Sequence, residues 1–395
     1  MVLELGLMRM AVADQWKVSG AFDQSMEYDD NIGLRVEKTP AFGYSMRPSV
    51  RADWSTPILA LGVNGRGDIR RYDDQQWDCD NFGVGGEQRY SRRNHVFSLD
   101  GDYSQNCSYS QQTNDTGLLI PNNQSENYAL NPAWSWQMTP LDRLSLSPGY
   151  TRTSYSNFGT DSNGLASAYL NNNESYSVSL AEEHVWDKRL ASTANVFFSS
   201  SSFTNASSAS TQSTFSQDVF GFQLGSQYAI SRLWMLNANG GGRWVQSPGS
   251  DSGLLFGETY NVALSYKGKL DAFSLNFSRS VSPSSFGQIQ DITSFGMRYD
   301  REISRELSFN LNGSYSQNQA IGQSLNQLGQ ERTYFNATAE LVWTFSRDWR
   351  LSASYRYRMQ DYGNNTLNTQ QAGVIDSNAI MLHLNYNWDG LRVSR

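Results

Sequence analysis

An all-β chain closed into a transmembrane antiparallel β-barrel is the fold class this 395-residue sequence predicts. The strand count is about 18, or about 16 if the weakest hairpin is miscounted. Three observations lead there. Apolar and polar residues alternate with period two over many segments, as in strands with two unlike faces. The connections alternate between very short turns and mostly longer polar loops. The tryptophans gather near the short turns, as an interfacial girdle would.

Taken in order, the first strand (16–28) is only weakly patterned. In 41–53, Phe42, Tyr44, Met46, Pro48 and Val50 alternate with Ser45, Arg47, Ser49 and Arg51. The same alternation is read at 58–70, 96–109, 143–155, 174–181, 190–199, 259–267, 292–300 and 335–345, with 80–90 again weak. Phe220, Phe222, Leu224, Tyr228 and Ile230 share one parity, as do Leu307, Phe309, Leu311 and Tyr315. Near the end, Leu351, Ala353, Tyr355, Tyr357 and Met359 alternate with Ser352, Ser354, Arg356, Arg358 and Gln360. Ile380, Leu382, Leu384, Tyr386 and Trp388 follow the same rule. Helical spacing finds no comparable run.

The short connections fall at 54–57, 91–94, 139–142, 187–189, 230–232, 267–269, 303–305 and 346–348. The longer class falls at 29–40, 72–80, 111–125, 156–173, 204–213, 248–253, 281–287, 317–331 and 361–377, rich in Asn, Ser, Gln, Gly and Asp. Both termini then lie on the short-turn side. None of the long loops reads as long enough for a folded plug. Trp54, Trp136, Trp186, Trp234, Trp343, Trp349 and Trp388 lie near short turns or the C-terminus, with Trp16 and Trp134 nearby. Trp77 and Trp244 sit toward the long loops. Tyr103, Tyr109, Tyr155, Tyr315 and Tyr357 are candidates for the opposite girdle. Residues 1–14 read either as the remnant of an export signal ending at Ala11-Val-Ala13 or as an unstructured leader, and 15–395 as one barrel domain.

Composition narrows the function classes. Aromatics make up 13% and charged residues 17%, which suits strands and not a disordered chain. A net charge of −7 opposes a nucleic-acid partner, which needs a clustered basic surface. No run approaches 18 apolar residues, so a membrane would be crossed by strands. Three scattered histidines do not make a metal site, and no motif calls for a cofactor.

If the apolar parity faces lipid, the polar parity lines an interior. It then carries Arg47, Arg51, Arg66, Asp68, Arg70, Glu87, Arg89, Asp100, Asp102, Arg243, Arg298, Asp300, Glu340, Arg356 and Arg358. Facing lipid at midplane would cost about 2–4 kcal/mol for each basic residue. About 18 strands leave room for an aqueous channel. These charges are either a ladder selecting anionic solutes or networks that brace a wide interior. Cys79 and Cys107 flank the hairpin that turns near Arg92 and Arg93. With those two as central residues, strict pairing sets Cys79 opposite Asn106, and a bulge would be needed to join the sulfurs. An oxidising compartment favours the bridge; two free thiols are the alternative. Asp100 with Asp102 shares one face but reads as wall charge, not a catalytic dyad. His383 has interior parity without a partner that would make it catalytic.

Four motifs, in order, resemble those of a family of outer-membrane β-barrel porins encoded among exopolysaccharide and envelope-export genes. They are Tyr28-Asp-Asp-Asn31-Ile32, Phe42-Gly-Tyr-Ser-Met-Arg-Pro-Ser49, Ser278-Arg-Ser-Val-Ser-Pro-Ser284 and the ending Leu384-Asn-Tyr-Asn-Trp-Asp-Gly-Leu-Arg-Val-Ser-Arg395. Asp115-Thr-Gly-Leu118 departs from the family pattern. The resemblance implies a barrel in the outer membrane of a Gram-negative bacterium, and no catalytic residues. The expectation is a porin-like channel, with an exopolysaccharide or another polar solute as cargo. Outer-membrane lipid would surround it, and a periplasmic export component is a further expected partner. The alternatives are a structural barrel that sheathes or anchors an envelope protein and, third, a barrel enzyme acting on lipid or sugar.

Overall fold

The computed structural model describes residues 14–107, 113, 115, 117, 119, 123–156, 170–205, 214–246, 253–285, 287–321, 331–362 and 373–394. The leader (apart from Asp14), Tyr109, and the loop residues Asn122, Asn364 and Asn365 lie outside them. The strands are β1 Gln15–Asp29, β2 Ala41–Ser55, β3 Leu59–Tyr72, β4 Cys79–Arg92, β5 His95–Cys107, β6 Gln124–Gln137, β7 Asp142–Ser156, β8 Asn171–Val185 and β9 Leu190–Asn205. They continue as β10 Thr214–Ala229, β11 Trp234–Gln246, β12 Leu254–Lys267, β13 Asp271–Ser284, β14 Gln288–Glu302, β15 Leu307–Ala320, β16 Glu331–Trp343, β17 Trp349–Asp361 and β18 Val374–Ser394. Among the described residues a 3-10 turn, Gln75–Trp77, sits between β3 and β4. Each strand pairs with its neighbours in sequence, antiparallel, and β1 pairs with both β2 and β18, so the sheet of 18 strands closes on itself. At the closing seam the β1–β18 register shifts between Val18 and Gly20. Gly390 takes φ +81° there, a left-handed conformation that glycine adopts without penalty.

Parity fixes the two faces. Large apolar side chains such as Met46, Val50, Val63, Val84, Leu99, Leu224, Phe256 and Ile380 are exposed on the outside, where hydrocarbon would cover them. The described outer rim at the short-turn end carries aromatic pairs: Trp16 with Trp54, Trp234 with Tyr266, Trp349 with Tyr386, and His95 stacked on Trp134 and Trp136. Trp77, in contrast, is wholly buried at the long-loop end.

The interior is not an open tube at that end. Residues of the loop after β1 fold inward: Asn31, Ile32 and Leu34 are buried, and Ile32 and Leu34 pack with Trp77, Cys79, Cys107, Leu119, Tyr334 and Ile375. Leu34 takes φ +43°, a conformation costing a leucine roughly 1–3 kcal/mol unless its surroundings hold it. Its fully buried side chain supplies that hold. Residues 113, 115 and 117, from the loop between β5 and β6, also reach across the interior. The carbonyl of Thr113 accepts from Arg332 Nη1 at 2.8 Å, that of Gly117 from Gln360 at 3.4 Å, and that of Asp115 from Asn318 at 3.3 Å. Arg332, Gln360 and Asn318 belong to β16, β17 and β15, on the wall facing β5 and β6. The expectation that no long loop plugs the barrel is therefore corrected. Short inward loops suffice because the interior wall supplies half of the packing surface.

Two further boundaries differ from expectation. The hairpin β4–β5 closes at Arg92–His95, one residue later than the sequence suggested. The ladder ends at Phe82–Gln105, and beyond it the Asn81 side chain accepts from the Cys107 N–H at 2.7 Å. In that irregular stretch Cys79 and Cys107 form a disulfide, with Cα atoms 5.9 Å apart. Of the loop expected at 281–287, residues 281–284 belong to β13.

Candidate solute site at the barrel constriction

The charged interior residues divide into an open set and a packed set. On β2 to β5 the ion pairs step along the wall. Arg47 lies 3.5 Å from Asp23 and 3.4 Å from Asp68, and Asp68 in turn takes Arg70 at 2.5 Å. Arg51 pairs with Glu87 and, at 2.8 Å, with Asp53. Arg66 grips both oxygens of Asp102, at 2.9 and 3.0 Å. Arg298 and Asp300 pair along β14 at 2.7 Å, and Glu340 accepts from Asn310 at 3.2 Å. Arg89 and Asp100 make no ion pair among the described residues and are exposed.

Arg356 and Arg358 behave differently. Both carry interior parity, yet both turn into the packing beneath the first loop. Asp29, 0% exposed, is their common anchor: it takes Arg358 at 2.7 Å, Arg356 at 3.1 Å and the Ser377 hydroxyl at 2.6 Å. Arg356 also pairs with Glu27. Asp29 receives the Asn31 N–H at 2.9 Å, and the Asn31 amide reaches the carbonyls of Arg35 at 2.8 Å and Asp376 at 3.0 Å. The Asp-Asp-Asn segment thus ties the first loop to β17 and β18. Outside the barrel wall, Lys38 clasps the same loop to Asp30 at 3.1 Å and Asp376 at 2.9 Å. Burial pushes the Asp30 carboxyl up, but hydrogen bonds from Asn378 and Lys38 outweigh this and hold it below its ordinary range. Hydrogen bonds to Asp376 and Asp30 raise the Lys38 ammonium.

Under these loops lies a cavity of about 400 Å³, its walls including Arg70, Arg356, Arg358, Glu27, Tyr72 and Tyr334. Arg332 packs against the Tyr334 ring at 5.7 Å. The cavity offers guanidinium donors, a carboxylate acceptor and two phenol rings. Its positive and negative groups nearly balance once Asp29 and Asp68 are counted, so it suits polar hydroxyl-bearing groups rather than a bare ion. His383 lies 3.8 Å from Asp23, with no hydrogen bond from its ring among the described residues. No group of three or more His, Cys, Asp and Glu side chains is arranged to hold a metal among the described residues.

Sequence reasoning missed Glu27, Asp29, Asp23 and Arg332 as interior groups, and also Arg279, Asp291 and Asp115. For Asp29 the signal was present: the Asp-Asp-Asn motif stood out in the sequence, at the end of a strand too weakly patterned for its parity to be read. For Arg279 and Asp291 the signal was a contradiction, since each shares parity with lipid-facing phenylalanines, Phe277 and Phe295.

No protein-family model matches this chain, and no curated protein matches its sequence. Among solved structures, OccAB4 of Acinetobacter baumannii aligns with a TM-score of 0.52 at 11% identity, covering 96% of this chain and 98% of that one. A point mutant of the ferric enterobactin receptor PfeA from Pseudomonas aeruginosa aligns with a TM-score of 0.50 at 10% identity, covering 94% and 80%. At such identities the likeness concerns the fold. The protein is a large transmembrane β-barrel of the outer-membrane type.

Proposed function

We propose that this barrel is a porin-like channel in the outer membrane of a Gram-negative bacterium, passing polar, hydroxyl-rich solutes, with an exopolysaccharide as its cargo. The observation that carries the reading is the cavity at the constriction. Its arginines, carboxylate and tyrosines line a cavity of about 400 Å³ beneath the inward-folded loops. Mixed donors and acceptors beside aromatic faces match sugars, which present hydroxyls at their edges and apolar patches on their faces. The similarity to porin-type barrels supports the fold this needs, and the export cargo rests on the family resemblance of the motifs. Loop residues pack into the long-loop end, so passage requires movement of the loops.

Planar-bilayer recording tests it. Purified protein should give ion-conducting steps that neutral oligosaccharides reduce, and Tyr72→Ala with Tyr334→Ala should weaken that block. A second reading has one observation in its favour: the interior at the long-loop end is packed with side chains. A barrel that sheathes or anchors an envelope partner would stay silent in bilayers with every loop released.

A further inference from the structure

The inner wall has two unlike halves. From β6 to β13 the inward parity carries charge only at Arg143, Glu183 and Lys267, near the short turns, and at the buried Arg243 toward the other end. Between them stand mostly Ser, Thr, Asn, Gln, Gly and Ala. Their side chains bond sideways to one another. The Thr153 hydroxyl donates to the Asn127 amide oxygen at 2.8 Å, the Asn276 amide to that of Asn261 at 3.1 Å, and the Ser175 and Ser201 hydroxyls lie 3.0 Å apart. The ion pairs of β2 to β5 form the wall beside this neutral one.

One spot, midway along the strands where the two halves meet, has a geometry of its own. β6 and β7 pair from Gln124–Ser156 to Leu130–Tyr150 and again from Trp134–Leu146. Pro132 and Pro148 lie in that interval, and proline has no N–H to give a ladder. Gly149 lies there too, at an inward position. A glycine inside a strand weakens it and often marks a place where another group approaches closely. A Cβ placed on Gly149 would lie 2.7 Å from the Ser177 hydroxyl oxygen and 3.2 Å from the Asn131 amide oxygen. These two groups, from β8 and β6, therefore converge over the notch that the glycine leaves. Asp100 of β5 stands directly across from Asn131. Side chains so placed on one face have Cβ atoms about 5 Å apart. Asp100, Asn131 and Ser177 are all exposed, and none has a side-chain hydrogen bond or ion pair among the described residues.

We propose that Asp100, Asn131 and Ser177 form a sugar-contact site in the barrel interior, separate from the cavity under the loops. The carboxylate accepts from sugar hydroxyls, the amide donates and accepts, and the serine hydroxyl does either. None of the three has a protein partner to give up, so a sugar displaces only water. Binding stands on this geometry alone; its part in passage rests on the channel reading above.

The full-length protein in planar bilayers tests it, with maltohexaose as the neutral probe. Asn131→Ala with Ser177→Ala should raise the half-blocking concentration about tenfold, since each lost hydrogen bond weakens binding a few-fold. Asp100→Ala should raise it at least as much, because hydrogen bonds to a charge are stronger. Gly149→Ala fills the notch and leaves the three side chains in place, and it too should weaken block. The loss should be as large when Tyr72 and Tyr334 are also changed to alanine, as two separate sites require. Arg51→Gln with Arg66→Gln, on the charged half, should shift the reversal potential and keep the half-blocking concentration within about twofold. Unchanged block in any of the first three variants overturns the site, as does an equal loss in the arginine pair. If no form conducts, equilibrium dialysis of maltohexaose against the solubilised protein decides. Uptake that falls in Asn131→Ala with Ser177→Ala keeps the site and sinks the channel reading; equal uptake, or none, overturns the site.

Discussion

The arginines of β17 and those of β2 to β4 are the same residue type on the same face of the same sheet, yet they do different work. Arg358 is 8% exposed and bound to a carboxylate that water does not reach. Arg66 has half its side chain exposed and pairs with a partly exposed Asp102. The difference is the first loop, which covers the long-loop ends of β17, β18 and β3 to β5 and leaves Arg51 and Arg66, farther from that end, exposed. Roofing converts a wall charge into a clamp: desolvation makes the pair expensive to break. The open pairs exchange with water and contribute little to stability, while their field still acts on passing ions.

The comparison breaks most visibly at Asp29. Asp29→Ala strands the buried Arg358 guanidinium and leaves Arg356 with Glu27 alone, and loss of one partner of such a network costs about 3–5 kcal/mol. Denaturant unfolding in detergent should show that loss, and protease should cut the first loop at Arg35 or Lys38. An unchanged midpoint would place Arg356 and Arg358 with the open set. Leu34→Ala removes the apolar pin of the same loop, with a cost of about 2–5 kcal/mol expected from a cavity at a fully buried leucine. The same unfolding assay checks it.

On the open wall, Arg66→Glu should change stability by less than about 1 kcal/mol. It should nevertheless move the reversal potential in a salt gradient toward cation selectivity. The double change Arg356→Glu with Arg358→Glu should damage loop packing before it alters selectivity.

The smallest effect is the clasp at Lys38. Asp30 has a depressed carboxyl, so its contribution is present above the ordinary value of 3.8 and is lost as pH falls through its lower folded value. Lys38 has a raised ammonium, so its contribution is complete below 10.5 and lost as pH rises through its higher folded value. Protease sensitivity of the first loop should stay flat between those limits and rise outside them. Because these side chains are partly exposed, salt should mute the change.

Strand number, the closing of β1 on β18, the aromatic girdle and the sorting of short turns from long loops were all legible in the sequence. They depend on period-two patterning and turn chemistry, which are local. The sequence also brought Cys79 and Cys107 to the same rim, although the turn by one residue and the Asn81 bond to Cys107 settled how they meet. Which arginines face water was not legible. Arg66 and Arg358 have the same parity, and only the fold of residues 31–34 over one of them separates a pore wall from a clamp. Asp29 lies more than 300 positions from its arginines, and no local pattern encodes that pairing. The Arg243–Asp291–Arg279 pairing left a local trace, since charged Arg279 and Asp291 stand on a lipid-facing parity. A trace of that kind marks a residue that must be sheltered, and only the tertiary structure decides where the shelter is. The sequence by itself determined a closed barrel, because each strand carries its own two faces. The contents of that barrel were decided in three dimensions, where segments far apart in the chain compete for one enclosed space.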